Sequence, residues 1–210
     1  MIVALESTSL CPWAPFYLIY AALAIAVPLY FRNFSFKGDL RRGLRIFALI
    51  FILMEVYNFV YSISYTQLLV DLNLQENPFF SLDAALNELL VWTSRRLSIP
   101  LGSALAVYAI YVIIWAPIGE ELFYRGYLYS ALRRRGYLTA ALVSSLLFGV
   151  RHMTHFVGLP SYPLVAGLSW AIFAFGFGLI ECYLYERTES LLLCMILHLT
   201  TNLLSMILGI

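Results

Sequence analysis

The sequence predicts an all-α protein, a polytopic membrane helix bundle of about six transmembrane helices plus an amphipathic interfacial helix. Three observations predict it. Hydrophobic residues make up 62% of the chain, whereas soluble domains run at roughly 45–50% apolar. Charged residues make up only 12%, about half the usual share. Apolar stretches of about 20 residues, enough to cross a hydrocarbon core, recur along the chain, and the mean hydropathy is +0.84.

The first span is expected over Pro12 to Phe31 and the second over Ile46 to Tyr65. The third runs from Leu101 to Gly119 and continues as helix to Arg135. The fourth covers Tyr137 to Val157, the fifth Tyr162 to Tyr185, and the sixth Leu191 to Ile210. Between the second and third spans, Leu82, Ala85, Leu86, Leu89, Leu90 and Leu97 recur near helical spacing around Asp83, Asn87 and Glu88. That pattern reads as an amphipathic helix at the interface; the alternative is a solvated connection packed on the helix ends. Residues 1–210 are read as one integral membrane domain with no internal repeat. Met1 to Leu10 carries only Glu6 and has no basic segment, so no cleavable signal peptide is expected.

The connections are unequally charged. Arg32, Lys37, Arg41, Arg42 and Arg45 follow the first span, and Arg133, Arg134 and Arg135 follow the third. The stretch from Thr66 to Pro100 is instead acidic, with Asp71, Glu76, Asp83 and Glu88 against Arg95 and Arg96. The positive-inside rule puts the two basic connections in the cytoplasm, and six spans then place both termini outside. The Glu186-Arg187 turn falls on the cytoplasmic side. The net charge of +1 implies no nucleic-acid partner. The three cysteines, Cys11, Cys182 and Cys194, form neither a disulfide framework nor a metal-binding spacing and read as core residues.

Against this apolar background the sequence Glu120-Glu121-Leu-Phe-Tyr-Arg125-Gly126 is conspicuous. Ionisable groups at membrane depth are costly and mark functional sites by default. Glu121 and Arg125 are i, i+4 and can pair, whereas Glu120 lies about 100° around the helix, free to face a cavity. Pro117 and Gly119 are expected to open the helix there and admit water. The alternative for Glu121 and Arg125 is a purely structural ion pair. The chain's three histidines all fall in or beside expected spans. A lone histidine on an apolar face is usually a core residue, but a helical hairpin turning near Gly136 brings His152 to the depth of Glu120, with His155 one turn further in a supporting position or as the alternative to His152. His198 and Asn202 are i, i+4 on the sixth span, where the alternative is an interhelical polar clamp. A carboxylate, imidazoles and an amide together suit hydrolysis, since the base activates water and the donors hold an oxyanion. Glu55 and Asn58 share a face of the second span, and either line the same cavity or pair with a basic group. Glu181 is placed near a span end, reaching the interface. Phe173 to Gly178 offers small residues for close helix packing, with a substrate groove as the alternative.

In order, Glu120-Glu121-x-x-x-Arg125, Phe148-x-x-x-His152 and His198-x-x-x-Asn202 resemble the motifs of the CPBP family of membrane proteins. That family includes type II CAAX prenyl proteases of the Ras-converting-enzyme type and bacteriocin-processing or immunity-type proteins. Phe175-Gly176 to Tyr185-Glu-Arg-Thr188-Glu-Ser190-Leu is similar to its third segment, so the resemblance covers residues 117–202. It implies an intramembrane endopeptidase in which Glu120 and His152 activate water, His198 and Asn202 stabilise the oxyanion, and Glu121, Arg125 and Phe148 support the site. It further implies a membrane-associated protein or peptide substrate, lipidated in the prenyl-protease case, and no cofactor. A zinc-dependent version would use Glu120, His152 and His198, but there is no His-Glu-x-x-His and Asn202 is a poor zinc ligand. The expected location is the plasma membrane of a prokaryote or the endoplasmic reticulum of a eukaryote. The rival readings are a catalytically silent immunity or scaffold protein of the same fold, and a small ion-coupled transporter using Glu55, Glu120 and Arg125.

Overall fold

The computed structural model describes residues 14–31, 34–38, 40–73, 91, 94–95, 98–153 and 164–208. Among them every regular element is helical. α1 spans Ala14–Phe31 and α2 spans Leu40–Asp71. α3 is one continuous rod from Leu101 to Arg135, built of α-helix (Leu101–Ala109), a π-helical segment (Ile110–Trp115), α-helix (Ala116–Glu121), a second π-helical segment (Leu122–Tyr129) and a short α/3-10 end. α4 spans Tyr137–Met153, α5 Leu164–Thr188 and α6 Leu191–Leu208. A helix thus lies on each of the apolar stretches, and the predicted continuation of α3 through the Glu-Glu motif is present. Two helices among the described residues, over Gly43–Asp71 and Gly167–Thr188, are long and apolar enough to cross a membrane by length and composition. Most of the amphipathic segment over 82–97, together with Cys11 and His155, lies outside the described residues.

α2 and α5 extend past their expected ends, and the reasons are local. α2 continues to Asp71, where the Gln67 amide donates to the Asp71 carboxylate at 2.9 Å one turn later. The outer face of α2 carries exposed Leu49, Ile52, Val56, Phe59, Val60 and Ile63. An unbroken apolar face of that length suits lipid rather than water. α5 runs on to Thr188 because its last turn is tied down. Arg133 forks onto the Glu186 carboxylate at 2.7 and 2.5 Å, and the Tyr129 hydroxyl donates to it at 2.6 Å. The Thr188 hydroxyl donates back to the Leu184 carbonyl at 2.8 Å.

The connection after α1 docks on the α5–α6 corner. The first N–H groups of α6 lack intrahelical partners, and here Leu191 and Leu192 donate to the Ser35 and Phe36 carbonyls at 3.2 and 3.0 Å. Ser190 caps the same helix, accepting from the Leu193 N–H at 3.3 Å. The Arg133 and Ser35 contacts together bring the three connections expected on one side of the membrane to one end of the bundle.

Pro117 and Gly119 do not open α3. Pro117 has no N–H to donate one turn back, and the helix accommodates this by widening into the π segment that ends at Trp115. Gly119 is buried against α1, with Ile25 and Ala24 nearest the position a side chain would occupy. The second π segment leaves carbonyls that hydroxyls satisfy, with Ser144 donating to Tyr124 at 2.8 Å and Ser130 to Arg125 at 3.1 Å.

α4 and α5 pack most closely, through small residues. A Cβ on Gly149 would lie 2.6 Å from the Ala171 carbonyl oxygen, and one on Gly178 would lie 3.0 Å from Ser145 Cβ. Gly176 leaves room for the Tyr57 ring, whose hydroxyl donates to the Phe173 carbonyl at 3.0 Å. The Phe173–Gly178 stretch is therefore a packing surface. Replacing Gly149 by Val forces backbone apart. The expected result is a loss of about 1–3 kcal/mol, the usual cost of overpacking, read as a lowered melting temperature of the purified protein in detergent.

Candidate active site

Glu120, Glu121, Arg125, Phe148, His152, Glu181 and His198 come together inside the bundle. α3 brings Glu120, Glu121 and Arg125, α4 brings Phe148 and His152, α5 brings Glu181, and α6 brings His198 and Asn202. Glu121 and Arg125 are fully buried and form the expected i, i+4 ion pair, Nη1 to Oε1 at 2.8 Å. Arg125 is held from two further sides. Its Nη2 reaches the Gly178 carbonyl at 3.4 Å and its guanidinium lies 4.7 Å from the Phe148 ring centroid, a cation–π distance. Phe148 therefore covers Arg125.

Glu121 has a second partner that the sequence did not disclose. His198 Nδ1 lies 2.8 Å from the same Oε1 that accepts from Arg125. A carboxylate oxygen only accepts, so the proton is on Nδ1. Nε2 of the same ring then points toward Glu120, 3.8 Å from its Oε2. The ring is wedged in place by Phe177 and Phe148, at centroid distances of 4.8 and 6.1 Å. Glu120 is a little more exposed than Glu121, at 8% against 0%. The two adjacent carboxylates thus lie on opposite sides of the His198 ring, Glu121 in the ion pair with Arg125 and Glu120 at the other ring nitrogen.

His152 donates its Nδ1 proton to the Phe148 carbonyl, one turn back on its own helix, at 2.8 Å. In the neutral ring this leaves a lone pair on Nε2. Glu120 is near enough to His152 to act on it electrostatically. Asn202 is half-buried, one turn beyond His198 on α6. The pair Glu55 and Asn58 is engaged with α6. Thr201 donates to Glu55 at 2.7 Å and Asn58 donates to Ser205 at 2.8 Å. Among the described residues the partners of both are hydroxyls, not basic groups.

Glu181 is not at the interface. It is fully buried, and among the described residues neither of its carboxyl oxygens has a hydrogen-bond partner of ordinary geometry. Its position follows from the extra length of α5, which puts the helix end at Thr188 and leaves Glu181 two turns inside. Among the described residues, the group of metal-ligating types whose donor atoms all lie within 4.8 Å of one another is Glu121, Glu181 and His198. His152 is not in that group. The set fits a cation poorly, because Glu121 Oε1 already accepts from a guanidinium and an imidazole, and a buried positive charge beside it opposes a second. Cys182 and Cys194 are buried free thiols, as expected of core residues.

No curated protein and no solved structure matches the chain. A protein-family model does match, described as type II CAAX prenyl endopeptidase Rce1-like, over residues 102–204. This stretch contains every residue of the cluster just described and leaves α1 and α2 outside it. Over that segment, about half of its length, the chain is similar to the Rce1-like type II CAAX prenyl endopeptidases, a membrane-embedded family, and the match supports the resemblance read from the motifs.

Proposed function

We propose that the protein is a glutamate-type intramembrane endopeptidase of about six membrane spans, cleaving a peptide bond near the membrane end of a membrane-associated substrate. The observation that carries this reading is the convergence of Glu120, His152 and His198, from three different helices, around the locked Glu121–Arg125 pair. A substrate segment enters between helices and presents an extended peptide bond. Glu120 removes a proton from water, with the His152 Nε2 lone pair sharing the load. Hydroxide attacks the scissile carbonyl, and His198 with Asn202 holds the developing negative charge. Glu120 then returns the proton to the leaving amine as the C–N bond breaks. Glu121 and Arg125 keep His198 in register. The family supports a CAAX-type substrate, an S-prenylated cysteine with a short tail; peptide maturation and surface-protein sorting are the other substrate classes for the same chemistry. The basic connections put the Arg133–Glu186 end of the bundle at the cytoplasmic face.

The test is cleavage of an S-farnesyl-cysteine CAAX peptide by the purified protein in liposomes, with a tripeptide released from the C-terminal end. Cleavage that needs the farnesyl group supports the CAAX reading, and cleavage only of unmodified leader peptides moves the substrate to the second class. The mechanism is metal-free. Activity is therefore expected to change less than about twofold after dialysis against a strong chelator, where a single catalytic group is worth about 10²–10⁴-fold. Loss on chelation with recovery on adding zinc contradicts this part of the account.

A further inference from the structure

Glu55 is an ionisable residue midway along α2, outside residues 102–204, and the mechanism above leaves it unused. It is half-buried, and the Thr201 hydroxyl of α6 donates to it at 2.7 Å. One turn along α2, the buried Asn58 amide donates to Ser205 at 2.8 Å. We propose that Glu55 is a positioning residue: with Asn58 it sets the rotation of α6, and so where the Asn202 amide stands beside the reacting carbonyl. The argument starts from how α6 is held. Its first turn hangs on the Ser35 and Phe36 carbonyls through the N–H groups of Leu191 and Leu192, at 3.2 and 3.0 Å. Two turns in, His198 is fixed on Glu121 of α3 at 2.8 Å. Asn202 lies one turn further on, past both anchors. There α2 does the holding. Thr201 and Ser205 are i, i+4 and share a face of α6, and Glu55 and Asn58 are i, i+3 and share the facing side of α2.

Two bonds a turn apart fix rotation and axial slip together, whereas a single bond leaves a helix free to turn about it. The rotation matters because Asn202 follows Thr201 directly in sequence. Side chains reach about 5–6 Å from a helix axis, so a turn of about 10° carries the Asn202 amide about 1 Å sideways. A misplacement of about 1 Å can cost about 10²-fold in rate, since a donor helps an oxyanion only within hydrogen-bond distance. His198 is spared much of this shift by its own anchor on Glu121. The residue type at 55 points to placement rather than adhesion. An ionisable side chain at membrane depth is costly, and interhelical hydrogen bonds in membranes stabilise only modestly. Small or apolar residues pack two helices equally well. What the Glu55 side chain adds is an acceptor at a set place for the hydroxyl beside Asn202. The Thr201 bond needs only that acceptor oxygen, so the argument is independent of the charge on Glu55.

The effect on catalysis rests on the hydrolytic reading; the placement of Asn202 does not, and it is read first. Full-length protein labelled with nitrogen-15 at asparagine, in phosphatidylcholine–phosphatidylglycerol nanodiscs, gives a side-chain amide signal for Asn202, identified by its loss in Asn202→Ala. Glu55→Leu and Thr201→Val cut the bond from either side and are expected to shift that signal. Glu55→Gln keeps an acceptor and is expected to leave the signal at its wild-type position. On the farnesylated CAAX peptide, Glu55→Leu is expected to lower kcat by roughly ten- to a hundredfold with KM within about twofold, and Glu55→Gln to recover most of the rate. Added to Asn202→Ala, Glu55→Leu is expected to cost less than about twofold more, because the residue it acts through is already gone. An unmoved Asn202 signal in Glu55→Leu, or the same loss of kcat on top of Asn202→Ala, overturns the proposal. Should Glu55→Leu not fold, Thr201→Val decides by the same two readings. An uncut peptide, or full activity of Glu120→Gln, sinks the hydrolytic reading instead, and the Asn202 signal still decides the placement.

Discussion

Glu120→Gln is expected to abolish peptide cleavage while the protein inserts and folds as wild type does. The amide has the shape of the carboxylate but cannot take a proton from water or return one to the leaving amine, and general acid–base groups are worth about 10²–10⁴-fold. The effect on stability is expected to be small, because the buried ion pair is made by Glu121 and not by Glu120. Glu120 approaches His198 only at 3.8 Å. The check is kcat on a reconstituted peptide substrate, alongside thermal unfolding of the same preparation. A Glu120→Gln protein that turns over within a few-fold of wild type removes Glu120 from the chemistry.

Arg125→Met is expected to have the largest effect on the fold. Arg125 holds Glu121 at 2.8 Å, reaches the Gly178 carbonyl and lies over Phe148, so it ties α3 to both α4 and α5. Removing it strands the Glu121 charge in the interior. Breaking one side of a buried pair costs about 3–5 kcal/mol, whereas replacing both sides by well-packed neutral groups is often close to neutral. The double variant Glu121→Gln/Arg125→Met is therefore expected to regain most of the stability lost by Arg125→Met, yet to remain poorly active because His198 has lost its ionised anchor. Thermal unfolding of the two variants separates these effects. Equal destabilisation of single and double variants contradicts the account of Arg125 as the partner of a buried charge.

The bundle was legible because apolar runs and basic connections are written plainly in the chain. The α3 rod was legible through its motif, since spacing of four places Glu121 over Arg125 whatever the surroundings. The turn at Gly136 makes α3 and α4 a hairpin, which is why Glu120 lies near enough to His152 to act on it electrostatically. Glu181 was not legible. It sits on a helix that is apolar nearly all round, between Phe177, Gly178, Leu184 and Tyr185, so no periodic face marks which way it points. Its depth was also hidden, because the helix end depends on Arg133 and Tyr129 gripping Glu186 from another element. The His198–Glu121 bond was missed for the same reason. Spacing within one helix identifies a local partner such as Arg125 but says nothing of a second partner from α6. The π-helical segments had one cue, Pro117, whose missing N–H widens the helix rather than opening it.

The central claim is that this buried cluster cuts peptide bonds in membrane-associated proteins. The most direct measurement is mass spectrometry of membrane-protein termini in cells carrying wild type or Glu120→Gln at equal levels. The account predicts at least one new C-terminus, on a membrane-associated protein, present with wild type and missing with Glu120→Gln. Identical termini in the two strains, with both proteins folded and present, contradict it.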